Sequence, residues 1–212
     1  MSNHSPETKL ATHTLTSLYV REMDLVNDMM GKMTFTDTMF YHIMGKHPTA
    51  GQTAVLDAVL VTLMEHGFTP SVIAARVTYL SAPEALQAAV SAGLLNVASQ
   101  FVGTMEDCAA ILERLVMAKE GIEAAAKREV IQAHAEKRPL PGFGHHLHKP
   151  DDPRSPKLFE IARAQTEIEG EYLEALLALS SAMDKVHGKP LTINATGAAA
   201  AVMLEIGVPA RI

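Results

Sequence analysis

Residues 139–154 read PLPGFGHHLHKPDDPR. Three histidines, His145, His146 and His148, fall within four positions; Gly142-Phe143-Gly144 precedes them, and a lysine, two aspartates and an arginine follow. Four prolines forbid a helix interior or a central strand. The stretch is therefore a rigid loop, and such loops often carry binding and catalysis. The bland alternative is a solvated connector with capping Asp and Ser. The glycines let the backbone turn tightly and approach a ligand closely. Without a third glycine or a preceding strand, they are not a dinucleotide fingerprint. His145, just after the turn, can aim its imidazole into a cleft. Arg154, just before a helix start, can grip a carboxylate with two donors. Asp152 can orient a histidine or pair with Arg154. Adjacent histidines diverge and no second ligand cluster stands nearby, so no metal is expected.

Outward from this loop the chain reads as helices. Ser155-Pro156 opens a long amphipathic helix with the stripe Leu158, Ile161, Ala162, Gln165, Ile168, Tyr172, Leu173, Leu176 and Leu179, ending at Gly188-Lys189-Pro190. LTIN is a short extended piece, and AAAAVMLEI beyond Gly197 is a final helix. Upstream, residues 105–118 and 119–136 are helical, with Gly121 as the break. Thr49-Ala50-Gly51-Gln52 resembles a capping box ahead of AVLDAVLVTLM. Thr69-Pro70 opens SVIAARVTYL, and Ala82-Pro83-Glu84 opens ALQAAVSAGLL. Residues 1–17 are polar and expected to fray. No β alternation and no repeat stands out, so the fold class is all-α.

The 212 residues suffice for one large domain or two small ones. The core is Leu, Ala, Val and Met, with only 5% aromatics and no Trp, which favours close helix-on-helix packing. A net charge of −6 argues against nonspecific nucleic-acid binding. The single cysteine, Cys108, excludes an internal disulfide and fits a cytoplasmic protein. The N-terminus lacks a signal-peptide pattern, and the longest apolar run is too short to span a bilayer.

Three further stretches carry chemistry-capable residues. His66 in MEHG ends a helix, where a histidine is more often a C-cap than a ligand. Asn194 and Thr196 in INATG precede a helix, where plain N-capping is a strong alternative. AGLLNVASQFVGTMED, residues 92–107, is rich in small residues that either line a cleft or permit close packing.

Together these stretches resemble the citrate synthase superfamily, from about Tyr19 to Pro209. In that family one histidine follows an acidic residue at a helix junction, as in MEHG. A second sits in a G-x-G-H loop followed by D-P-R, here GFGHHLHKPDDPR. The family stretch N-V-D-G matches INATG. The resemblance implies an all-α large domain, 1–104 with 197–212 returning to it, and a smaller inserted domain, 105–196. The cleft would lie between them, and the chain would pair as a homodimer.

Site roles follow by resemblance. His66 would bind the oxaloacetate-like part of the substrate. His145 would donate to its carbonyl, or to the citryl hydroxyl oxygen. Arg154 and Asn194 would bind the substrate, with Arg154 on a carboxylate. Lys149, with Gly142 and Gly144, would meet coenzyme A. Such a site suits a carbon–carbon bond made or broken beside a thioester, where charge developing on oxygen needs donors.

Three departures refine the expectation. Citrate synthases carry H-G-G where this chain has Gln100-Phe101. Phe101 resembles instead the citryl-CoA lyase module of ATP-citrate lyase, and so falls at the substrate. The family's proton-moving aspartate is replaced by Thr196, whose hydroxyl is a poor general base. Asp151 and Asp152 are candidates to stand in. Family members also continue past the point matching GVPARI, with an arginine that contacts substrate; Arg211 is not expected to replace it.

The expected activity is a citryl-CoA lyase or citrate synthase-like reaction, joining or parting an acetyl-CoA unit and an oxo-acid such as oxaloacetate. The thioester is a substrate, and no metal, membrane or nucleic-acid partner is expected. The alternative is a non-catalytic or re-purposed protein of the same fold that binds acyl-CoA or dicarboxylates.

Overall fold

The computed structural model describes residues 8–65, 67–98, 100, 102–145 and 147–211. Nine helices follow a short N-terminal meander among these residues. The meander comprises β1 (Ala11–His13), β2 (Leu18–Val20) and β3 (Met23–Asp24), antiparallel in that order. It corrects the reading of residues 8–17 as simply frayed and of the chain as lacking strands; residues 1–7 of that reading lie outside the described residues. Pairing runs Ala11 to Val20 and Tyr19 to Asp24. The Arg21 guanidinium pins this ribbon by donating to the carbonyls of His42 and Ile43, at 2.9 to 3.2 Å. Those carbonyls end the next helix and lack intrahelical donors. A π-helical turn over Leu25–Met29, capped by Asp24, makes the connection.

Helices α1 (Phe35–Met44) and α2 (Ala50–Leu63) both open with full capping boxes, Thr34 with Asp37 and Thr49 with Gln52. Each box satisfies two otherwise orphaned amides. Helices α3 (Pro70–Ser81) and α4 (Leu86–Leu95) form a hairpin packed chiefly on itself. Ala75 and Gly93 meet at their crossing. Helices α5 (Thr104–Val116) and α6 (Ile122–Ala135) are separated at Gly121, whose φ of +87° favours glycine.

The long helix expected after Ser155 is two helices, α7 (Arg154–Arg163) and α8 (Glu171–His187). Carboxylates hold the break between them. Glu205 accepts from the amides of Gly170, Tyr172 and Leu173, capping α8 from another helix. Glu167, within the break, accepts from Gly51 N and Thr49 Oγ1 at the start of α2. Helical periodicity continues across the break because both pieces face one core, so the stripe alone could not reveal it. Gly188 ends α8 in the left-handed region, as the sequence predicts.

The last helix, α9 (Ala195–Glu205), is the centre of the molecule. It packs against α2, α5, α7 and α8. Ala198, Ala199, Ala200 and Ala201 are fully buried or nearly so. Their small side chains let four helices approach one axis. Leu112, Leu173, Leu176 and Leu179 fill the space around it. Each such leucine contributes roughly 1.5–3 kcal/mol by leaving water.

Candidate active site

The loop that opened the sequence analysis lies across the N-terminus of α9. Gly144 N donates to Thr192 O at 2.7 Å, and Asn194 N donates to Gly142 O at 3.1 Å, pairing Phe143 with Ile193. The Asn194 side chain adds a donor to Gly144 O at 3.0 Å. Two glycines make the contact possible. Gly142 has φ +87°, and a Cβ on it would stand 2.7 Å from Cys108 Sγ. A Cβ on Gly197 would overlap the Gly142 carbonyl. Thus Gly142 is a packing glycine, whereas Gly144 is exposed with open space beside it. The Cys108 thiol beneath the loop is pushed up to about 12 by burial, so it stays protonated.

Asp152 is the hub of the arrangement. Its side chain is fully buried. It accepts from Arg154 N, Nε and Nη2 at 3.1, 2.9 and 2.7 Å, and from Ala195 N at 3.1 Å. One carboxylate therefore joins the starts of α7 and α9. Burial pushes its pKa up, but the Arg154 hydrogen bonds and charge, with the Ala195 amide, prevail and hold it below the ordinary carboxylate value. Asp152 is thus fully engaged in pairing with Arg154. Asp151 is exposed and does not line the cleft.

Above this hub lies an open cleft of about 1630 Å³. His145, Arg154, Asn194 and Thr196 all line it. His145 Nδ1 accepts from the amides of Leu147 and His148, at 3.1 and 2.9 Å. The neutral ring therefore carries its proton on Nε2. That nitrogen lies 3.5 Å from Arg154 Nη2. Two donors so close together suit an oxygen anion or a polarised carbonyl placed between them.

Asn194 is the N-cap of α9 and accepts from Gly197 N at 3.0 Å. Thr196 lies inside the helix rather than before it. Its hydroxyl donates to Asn194 Oδ1 at 2.8 Å and lies 3.2 Å from Thr104 Oγ1. Lys149 is exposed and does not line the cleft. His66, Phe101 and His146 lie outside the described residues. Sequence reasoning passed over Arg114 and Arg138 and set Arg211 aside; all three line the same cleft. Their carboxylate partners, among them Glu129 and Glu106, make them read as ordinary surface charges. Among the described residues no three His, Cys, Asp or Glu side chains gather as a metal site would require. No helix of the described residues is long and apolar enough to cross a membrane.

Residues 9–212 match the profile of the citrate synthase family, C-terminal domain. The solved citryl-CoA lyase from Hydrogenobacter thermophilus is 31% identical, with a TM-score of 0.88 over 98% of this chain and 79% of that one. ATP citrate lyase from Methanothrix soehngenii, solved with citrate and coenzyme A, is 18% identical with a TM-score of 0.83 over 97% of this chain and 33% of that one. Citrate synthase from Thermoplasma acidophilum, solved with carboxymethyl coenzyme A and oxaloacetate, is 21% identical with a TM-score of 0.63, over 84% and 47%. No protein of curated function matches the chain.

Proposed function

The chain belongs to the citrate synthase family, and from that premise we propose that it is a citryl-CoA lyase-type enzyme. It would part citryl-CoA into acetyl-CoA and an oxo-acid such as oxaloacetate, or run the same chemistry in reverse. The observation that carries this reading is the pair of donors, His145 Nε2 and Arg154 Nη2, 3.5 Å apart in the cleft.

In cleavage, the tertiary hydroxyl loses its proton and becomes the oxo-acid carbonyl. The carbon–carbon bond breaks, and its electron pair moves to the thioester α-carbon as an enolate. A proton then reaches that carbon, giving acetyl-CoA. His145, held as the Nε2–H tautomer, donates to the oxygen as negative charge builds on it. It cannot accept the hydroxyl proton at that same nitrogen, so a second group must; His66 is the histidine that the resemblance assigns to this end. Arg154, pre-oriented by Asp152, offers its outer donors to a substrate carboxylate. Coenzyme A would enter as the thioester substrate, its phosphates served by the arginines lining the cleft rather than by Lys149.

The division into 1–104 with 197–212, and 105–196, remains our reading. It is supported by a cleft whose walls come from residues 61–70 on one side and 138–154 on the other. We also propose a homodimer, with a second copy on the exposed face of the α3–α4 hairpin. Between residues 67 and 103 the only charged residues are Arg76 and Glu84, one of each sign. A face without net charge can meet its own copy without repulsion. The lone buried Cys108 fits a cytoplasmic location.

The second reading, a non-catalytic binder of acyl-CoA or dicarboxylates, is favoured by one observation: Thr196 replaces the family carboxylate. Incubation with citryl-CoA, with oxaloacetate followed by a coupled dehydrogenase, separates the two. The expected outcome is release that His145→Ala lowers by about 10²-fold or more. Binding of citryl-CoA without release by wild type would select the second reading.

A further inference from the structure

A thioester α-carbon must exchange a proton, and Thr196 cannot hold it as a carboxylate does. Among the described residues, the carboxylates that line the cleft are Glu65 and Asp107. They stand on different walls. Glu65 accepts from Gly67 N at 2.6 Å and raises the Arg154 pKa through its charge, so it belongs to the Arg154 side. Asp107 lies on α5, which meets α9 beside Thr196.

The α5 face settles the neighbourhood. Thr104, Asp107, Ala110, Ile111 and Arg114 line the cleft from this helix, at spacings of three and four residues. Cys108, Leu112 and Leu115 occupy the adjoining, buried stripe. Thr104 Oγ1 lies 3.2 Å from Thr196 Oγ1. Asp107 follows Thr104 by three positions, so their Cβ atoms are about 5–6 Å apart. A helical side chain leans toward the N-terminus of its helix, which carries the Asp107 carboxylate over Thr104. That carboxylate makes no hydrogen bond or ion pair among the described residues, whereas Asp152 is wholly engaged.

We propose that Asp107 is the catalytic carboxylate of this site, moved from α9 to the facing wall on α5. In cleavage, the protonated Asp107 gives its proton to the enolate carbon as the carbon–carbon electron pair arrives there, and becomes the carboxylate. In condensation the carboxylate removes that proton from the acetyl methyl group. Atoms and charge balance without any co-reactant. This assignment rests on the carbon–carbon chemistry proposed above.

The test pairs citryl-CoA cleavage with exchange of acetyl-CoA methyl protons in deuterium oxide, oxaloacetate present, read by mass spectrometry. Asp107→Asn should lower both by about 10²-fold or more, the range of a lost general acid–base. Acetyl-CoA affinity by calorimetry and the thermal melting point should stay unchanged, because Asp107 is exposed. Glu123→Gln, an exposed carboxylate on α6 outside the cleft, should keep full activity. Thr196→Asp introduced into Asp107→Asn should restore exchange by returning a carboxylate to α9. Retention of both activities in Asp107→Asn within about threefold of wild type overturns the assignment. So does loss of exchange in Glu65→Gln with exchange kept in Asp107→Asn. A wild type that neither cleaves nor exchanges overturns the carbon–carbon reading itself, and this assignment with it.

Discussion

Helices α9 and α3 are both largely apolar, α9 the more so, and meet opposite fates. In α9, ATGAAAAVMLE, nine residues are buried; in α3, PSVIAARVTYLS, none is. The exposed side chains of the α3–α4 hairpin include Ile73, Val77, Leu80, Leu86, Val90, Leu94 and Leu95. Apolar content alone does not set burial here, for α4, LQAAVSAGLL, is as apolar as α9 and buries only Ala89. Side-chain size and neighbours do. The alanines of α9 are small enough for α2, α5, α7 and α8 to close around it. The larger residues of α3 have only α4 to meet, through the small Ala75 and Gly93. One region serves as the scaffold of the site, and the other presents a surface.

The comparison breaks first in the scaffold. Leu112 is fully buried beside α9. Leu112→Ala should cost about 2–5 kcal/mol, the transfer term plus a cavity. Leu80, exposed at 81%, should cost the isolated chain no more than about 0.5 kcal/mol on the same change. Urea unfolding of both variants measures the difference. Equal losses would mean that the hairpin packs into the core after all.

The next largest effect concerns the hub under the loop. Asp152→Asn leaves Arg154 without its bidentate partner and Ala195 N with a neutral acceptor. The expected loss is about 3 kcal/mol, at the low end for a broken buried pair because Arg154 is partly exposed. The pH dependence has a definite sign. The Asp152 pKa is lowered in the folded protein from its ordinary 3.8. Its contribution is therefore complete above that ordinary value and disappears as pH falls through the folded one. Acid unfolding of wild type should show this extra loss below about pH 4, and Asp152→Asn should not. Identical acid profiles would remove Asp152 from the hub.

Much of this was legible in residue order. The Thr49 capping box, the Gly121 break and the Gly188 stop announce themselves because each is a local device, whereas the equally local Thr34–Asp37 box went unread. GFGHHLHKPDDPR was readable as a loop from its prolines and glycines alone. What could not be read is action at a distance. The cap that Glu205 places on α8 spans more than thirty residues, so the break after α7 had no local mark. Asp152 looked like one acid of two, and only the fold, which buries it between Arg154 and the amide of Ala195, distinguishes it from Asp151. Asp107 and Thr104 were invisible as site residues because nothing in TMED says which face of α5 meets α9.

The smallest effect on stability should carry the clearest statement about the hairpin. Leu80→Ser with Leu94→Ser removes two exposed apolar side chains from α3 and α4. At protein concentrations low enough to keep the chain monomeric, its melting point should barely move, since neither residue reaches the core. Light scattering at higher concentration should behave differently. If a second copy covers the hairpin, the wild type forms a dimer and the double variant remains monomeric, because apolar side chains at the centre of an interface carry most of its binding. A wild type that stays monomeric would show that no second copy covers the face. A double variant that dimerises as well as wild type would move the contact elsewhere. In either of those outcomes α3 keeps its contrast with α9 but loses its explanation, for a contiguous apolar face left uncovered on a lone chain is otherwise an aggregation hazard.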